Sequence, residues 1–119
     1  MSKKLSTQEK ARRLWVRALR SGKYEWGKNH LHPTDDRYCC LGVLCEIAIK
    51  QGIIESYLQR ATGLPDKVRL WAGLDTAIGD FSNKSLAEIN DDATRNPFKK
   101  IANLIEKKPE GLFVERDGV

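Results

Sequence analysis

Apolar residues recur along this chain with helical spacing. Ala11, Leu14, Trp15, Ala18 and Leu19 fall at i, i+3, i+4, i+7 and i+8, one stripe of an amphipathic helix. Ser6-Thr7-Gln8-Glu9 is a capping box that starts it, and Ser21-Gly22 supplies a glycine stop. A second helix is predicted over about Tyr38 to Lys50, ended by Gly52, and from Tyr38 to Ile49 its only charge is Glu46. A helix without a polar face is buried on most sides, so this one is the expected centre of the core. Gly42 inside it costs about 1 kcal/mol relative to Ala, which predicts that another element approaches the backbone there.

Pro65 opens a third helix that carries Val68 and Trp71 inward and stops at Gly73. Asp75 to Asn83 reads as loop. Ser85-Leu86-Ala87-Glu88 is a second capping box, for a short helix ending near Asn90. Asn96-Pro97 caps the last helix, whose stripe is Phe98, Ile101, Ala102 and Ile105 and whose end is Lys107-Lys108-Pro109. Lys23 to Tyr38 has no helical period. Its alternating Tyr24 and Trp26 and the turn residues Pro33-Thr34-Asp35-Asp36 predict a short hairpin, Tyr24–Leu31 against Arg37-Tyr38. Leu112-Phe113-Val114 reads as a short terminal strand. The expected fold is mainly α, about five helices with room for a small β-hairpin, in a single domain over 1–119. Residues 1–5 are expected to be disordered and 110–119 flexible.

Composition narrows the class. With 119 residues, 40% apolar and 31% charged, the chain suits one soluble globular domain, and its apolar runs are too short to span a membrane. The charged start Met1-Ser2-Lys3-Lys4 is unlike a secretory signal. Three cysteines, two of them vicinal, suggest reduced thiols in a cytosolic protein. The net charge of +5 is unevenly placed. Nine basic and two acidic side chains in residues 1–30 make that stretch +7 and leave −2 for the rest. A partner drawn by charge therefore meets the first quarter of the chain. There Lys10, Arg13, Arg17 and Arg20 fall opposite the apolar stripe.

Several blocks are familiar as a set. They are Leu14-Trp15, Ala18 through Tyr24 with Gly27, Tyr38-Cys39-Cys40-Leu41-Gly42-Val43-Leu44-Cys45-Glu46, Val68 through Leu74, Ser85 through Asp91, and Phe98 with Ile101 through Glu106. Together they resemble small uncharacterised proteins of tailed bacteriophages and prophages, over most of residues 14–106. The resemblance implies a viral origin and expression in the cytoplasm of an infected bacterium, and it carries over no catalytic residue. The chain departs from the pattern at Asp91-Asp92-Ala93-Thr94-Arg95, where a glycine-containing turn is usual.

Cys39 and Cys40 lie near a helix N-terminus beside Arg37, where dipole and cation lower a thiol pKa, with His30 or His32 as a base. No third group orients that base, so burial in the core is the preferred reading. His30-x-His32 with Cys39, Cys40 and Cys45 has zinc-ligand chemistry without finger-like spacing. Asp75, Asp80, Asp91 and Asp92 match no calcium loop. Glu46 is expected to pair with a buried Arg or Lys, or else to reach a pocket. The stretch from Ser85 to Glu106 looks like helix-turn-helix but ends without a recognition helix.

What remains is binding. The expected site comprises Arg13, Arg17, Arg20, Lys23, Trp26, Lys28, His30, His32, Arg37 and Tyr38, with no catalytic residue, metal or cofactor assigned. The loop 27–37 is expected to carry recognition, with Arg37 and His32 dispensable to the core. The resulting expectation is a non-enzymatic phage accessory protein that binds a host or viral macromolecule, in host takeover or inhibition of host defence. A host or viral protein is the first partner; nucleic acid, an anionic nucleotide signal held by a sponge, and a cysteine-dependent enzyme are the alternatives. Membrane partners are not expected, and the oligomeric state is left open.

Overall fold

In the computed structural model, which describes residues 6–114, the serine half of the first capping box is formed. The Ser6 hydroxyl accepts from the Glu9 N–H at 3.1 Å and opens helix α1, Thr7–Ser21, which Gly22 closes in the left-handed conformation (φ 77°). The buried face of α1 is Gln8, Ala11, Arg12, Trp15, Val16 and Leu19, while Leu14 and Ala18 are only half-buried. The stripe is therefore rotated from the one predicted, because α1 is held chiefly by the C-terminal helix as well as by the core.

The cysteine helix α2, Cys40–Lys50, is the core element. Leu41, Val43, Leu44, Cys45 and Ala48 are all fully buried, as is Cys40. It starts later than expected, since Cys39 is its N-cap and Tyr38 belongs to a strand. The close approach predicted at Gly42 is present: a Cβ there would stand 1.8 Å from the Leu31 carbonyl oxygen. Leu31 is fully buried, and its carbonyl also accepts from the Cys39 N–H at 3.1 Å.

Between α1 and α2 lie β1, Glu25–Trp26, and β2, Arg37–Tyr38. They pair Glu25 with Arg37 and Trp26 with Tyr38, but in parallel. The partners were legible and the sense was not: the chain loops out through Leu31 and returns in the same direction, so this is no hairpin. Helix α3, Asp66–Ala72, has Pro65 as its N-cap, buries Val68 fully and Trp71 partly, and ends at Gly73 (φ 77°). The true hairpin begins in the stretch Asp75 to Asn83 expected as loop and runs into the next helix cap, β3 Asp80–Phe81 against β4 Lys84–Ser85, antiparallel. Its two-residue strands are too short to show alternation.

Ser85 then caps α4, Leu86–Asp92, accepting from the Glu88 N–H at 3.1 Å. The departure at Asp91–Arg95 needs no glycine, because Ala93 leaves the helix in extended backbone (φ −68°, ψ 145°). Helix α5, Phe98–Lys107, follows, with the Asn96 side chain accepting from the Phe98 N–H. Its predicted stripe, Phe98, Ile101, Ala102 and Ile105, is buried against α1 and α4. Leu112–Val114 forms an isolated bridge, Phe113 to Leu74, in place of a strand. Residues 110–114 are tied to the core through Asp75 N–H to Leu112 O and Val114 N–H to Gly73 O. The expectations for residues 1–5 and 115–119 lie outside the described residues. The described residues form a single compact globule of five helices and two tiny sheets, and none of these helices is long and apolar enough to cross a membrane.

Candidate functional site

The α2 N-terminus is where cysteine chemistry would reside. Two of its otherwise unpaired amides are satisfied by side chains. Cys39 Sγ accepts from the Gly42 N–H at 3.3 Å, and Asn90 Oδ1 from the Cys40 N–H at 3.0 Å. The Cys40 carbonyl accepts from the buried indole of Trp15 at 2.9 Å. All three thiols are free and buried. Burial pushes Cys39 up to about 11, with the Gly42 N–H opposing it, and raises Cys40 and Cys45 as well, again through burial. Desolvation thus outweighs the helix dipole, and these thiols are protonated near neutral pH. Cys40 and Cys45 are equally inaccessible, so the core reading of the cysteines is the observed one.

Asn90 went unnoticed in the sequence, where it reads as the end of a short helix. It is fully buried and its amide nitrogen donates to the Gly27 carbonyl and the Asp91 carboxylate. It ties α4 to α2 and to the loop after β1. Glu46 also corrects an expectation. Its carboxylate accepts from the Tyr57 hydroxyl at 2.7 Å; the predicted partner was a buried cation. Burial and this bond raise the Tyr57 pKa.

The predicted loop site is drawn together, with several of its polar groups already bonded. His32 is buried, stacks on Tyr38 at 4.1 Å and 6°, and has Nδ1 2.7 Å from the Arg37 carbonyl oxygen. Tyr24 meets the Tyr38 ring edge-on, and burial raises the Tyr38 pKa. The Arg37 guanidinium donates to the Trp26 carbonyl at 3.0 Å, Trp26 Nε1 donates to the Asn90 carbonyl, and Lys28 lies 5.2 Å over the Trp26 ring. His30 Nδ1 meets the Arg60 carbonyl at 2.8 Å. Of the two residues expected to be dispensable to the core, His32 is buried in these contacts, whereas Arg37 is exposed and braces the β1 backbone from outside. Among the described residues, no three His, Cys, Asp or Glu side chains are grouped for a metal.

The first helix presents a different arrangement. An open groove of about 840 Å³ runs between α1 and the end of α5. Its cations are Arg12, Arg13, Arg17, Arg20 and Lys108, its acids are Glu9 and Glu106, and Val16 and Ile105 form an apolar floor. Arg20 donates to Asn103 Oδ1 at 2.7 Å and to the Glu106 carboxylate, and the bond to Glu106 raises the Arg20 pKa and lowers that of Glu106. Arg12 is buried, its guanidinium 4.5 Å above the Phe113 ring. Arg13 and Arg17 are exposed, and neither has an acidic partner among the described residues. Neither Lys23 nor any predicted loop residue lines this groove, so the ten expected site residues divide into two places. Lys108 was missed; its signal was a cation at the last helix's C-terminal end. A second groove, about 610 Å³ between α4 and α5, mixes Lys84, Arg95 and Lys100 with Glu88 and Asp92.

The class that fold and site define is a small α-helical domain with a buried cysteine helix and a basic interhelical groove. Residues 7–109 match the family model described as Domain of unknown function (DUF8296), and the chain belongs to that family. No curated protein and no solved structure matches the chain.

Proposed function

We propose that this chain is a binding protein of phage or prophage origin that engages a host or viral macromolecule through the groove between α1 and α5, in host takeover or inhibition of host defence. The viral origin rests on the sequence resemblance over residues 14–106. The observation that carries the binding surface is the pair Arg13 and Arg17, exposed one helical turn apart without acidic partners among the described residues. Like charges at i, i+4 cost the isolated helix about 0.2–0.5 kcal/mol, a cost that an anionic partner relieves. The inaccessible, protonated thiols favour binding over cysteine chemistry.

Affinity capture from bacterial lysate, run with and without nuclease on the wild type and on Arg13→Ala/Arg17→Ala, tests this reading. The expected result is a partner retained by the wild type after nuclease and lost by the double variant. A partner held equally by both proteins would remove the groove from the site. A second reading, sequestration of an anionic nucleotide, draws on the groove's volume, which lies within the range of small-molecule pockets.

A further inference from the structure

Resting on the groove as the binding surface, the geometry points to a short acidic segment of a partner protein, with two carboxylates about one helical turn apart, as the occupant. The cationic stretch is short and bounded. Along α1 it begins after Glu9, runs through Arg13 and Arg17, and ends at Arg20, which Glu106 already neutralises. At 1.5 Å per residue that whole length is about 16 Å. Duplex DNA presents a charge about every 1.7 Å of axis, so a duplex lying in the groove would run past Arg13 and Arg17 onto the Glu9 carboxylate at one end and the mutually neutralised Arg20–Glu106 pair at the other. A compact acidic patch avoids both. The rim thus gives a long uniform polyanion little or no return beyond the attractive centre.

The lining chemistry agrees. No Trp, Tyr or Phe is among the groove residues, so bases have no ring to stack on. Tyr24, Trp26 and Tyr38 are already engaged elsewhere. Arg13 and Arg17 are one turn apart, about 5–6 Å between Cβ atoms, which matches two Glu side chains at i, i+4 on a facing helix. A guanidinium grips a carboxylate with two parallel hydrogen bonds, so each pair is directional as well as electrostatic. Val16 and Ile105 leave a narrow apolar floor between them, suited to a small side chain such as Ala.

The test is an NMR titration of the full chain at 150 mM salt with three probes. They are an Ala-rich helical peptide carrying one Glu-x-x-x-Glu pair flanked by Lys, a 12-nucleotide single strand, and a 12-base-pair duplex. The wild type is expected to bind the peptide about tenfold more tightly than either oligonucleotide, with shifts centred on Arg13 and Arg17. Glu9→Gln/Glu106→Gln removes the rim charges and is expected to tighten oligonucleotide binding about tenfold while changing peptide binding less than about twofold. Absence of peptide binding, an oligonucleotide preferred by the wild type, or rim variants without effect on the oligonucleotide would each overturn the inference. The proposed surface is judged separately. If oligonucleotides win and Arg13→Ala/Arg17→Ala abolishes their binding, only the partner class fails; if that variant binds every probe like the wild type, the surface itself fails.

Discussion

At the start of α2 the amides of Cys40 and Gly42 each have a side-chain acceptor, whereas on the outer face of α1 two arginines have no acidic partner among the described residues. Both places carry residues with reactive or charged reputations, and both sit on helices. The difference is solvent. Burial turns Cys39, Cys40 and Cys45 into small apolar groups, because ionising a thiol there costs more than the helix dipole returns. Exposure leaves the charge of Arg13 and Arg17 available. A residue type announces chemistry only together with its environment, and here the cysteines lose theirs while the arginines keep theirs.

The largest effect should come from the core side of this contrast. Leu44 is fully buried in α2, so Leu44→Ala is expected to lower unfolding stability by about 2–5 kcal/mol, read from denaturant midpoints. A cost well below that range would show that α2 is not the packed centre. Cys39 sharpens the point through pH. Its folded pKa, about 11, stands above the ordinary 9.0, so its contribution is complete below pH 9 and is lost as pH rises through 11. For this one group the difference amounts to about 2–3 kcal/mol. Bulky thiol reagents should label the native protein slowly at pH 7, and rapid reaction of all three cysteines would contradict the burial.

Gly42→Ala probes the same region with a single methyl. The Leu31 backbone must move to admit it, because the new Cβ would otherwise overlap the Leu31 carbonyl oxygen. Overpacking of this kind costs about 1–3 kcal/mol, and a variant as stable as the wild type would mean that the loop yields freely. This close approach was legible in advance, since a glycine inside a buried helix has few other reasons to be there. The serine caps at Ser6 and Ser85 were legible too, because the amides they accept from lie three residues away. The parallel pairing of β1 and β2 was not, nor was Asn90, whose partners at Gly27 and Cys40 are more than 49 residues distant. The same holds for the site. The exposure of Arg13 and Arg17 was legible from helical phase alone, while Lys108 joins their groove only through the packing of α5 on α1.

Arg12 and Arg13, neighbours in sequence, bring the comparison down to one peptide bond. Arg12 is buried over Phe113, so its stem and guanidinium are packing groups, and Arg12→Ala is expected to destabilise by about 1–3 kcal/mol. Arg13→Ala/Arg17→Ala should change stability by less than about 0.5 kcal/mol, because both side chains lie in solvent and relieving their mutual repulsion offsets any lost contact. Thermal melts of the two proteins side by side make the measurement, with salt as a second axis. Removing the repulsive pair should make the melting temperature less salt-sensitive than that of the wild type. If Arg13→Ala/Arg17→Ala destabilised as much as Arg12→Ala, the outer face of α1 would be scaffold like the inner one. A stable, folded double variant that has lost its partner would instead mark these two arginines as charges kept for something outside the molecule.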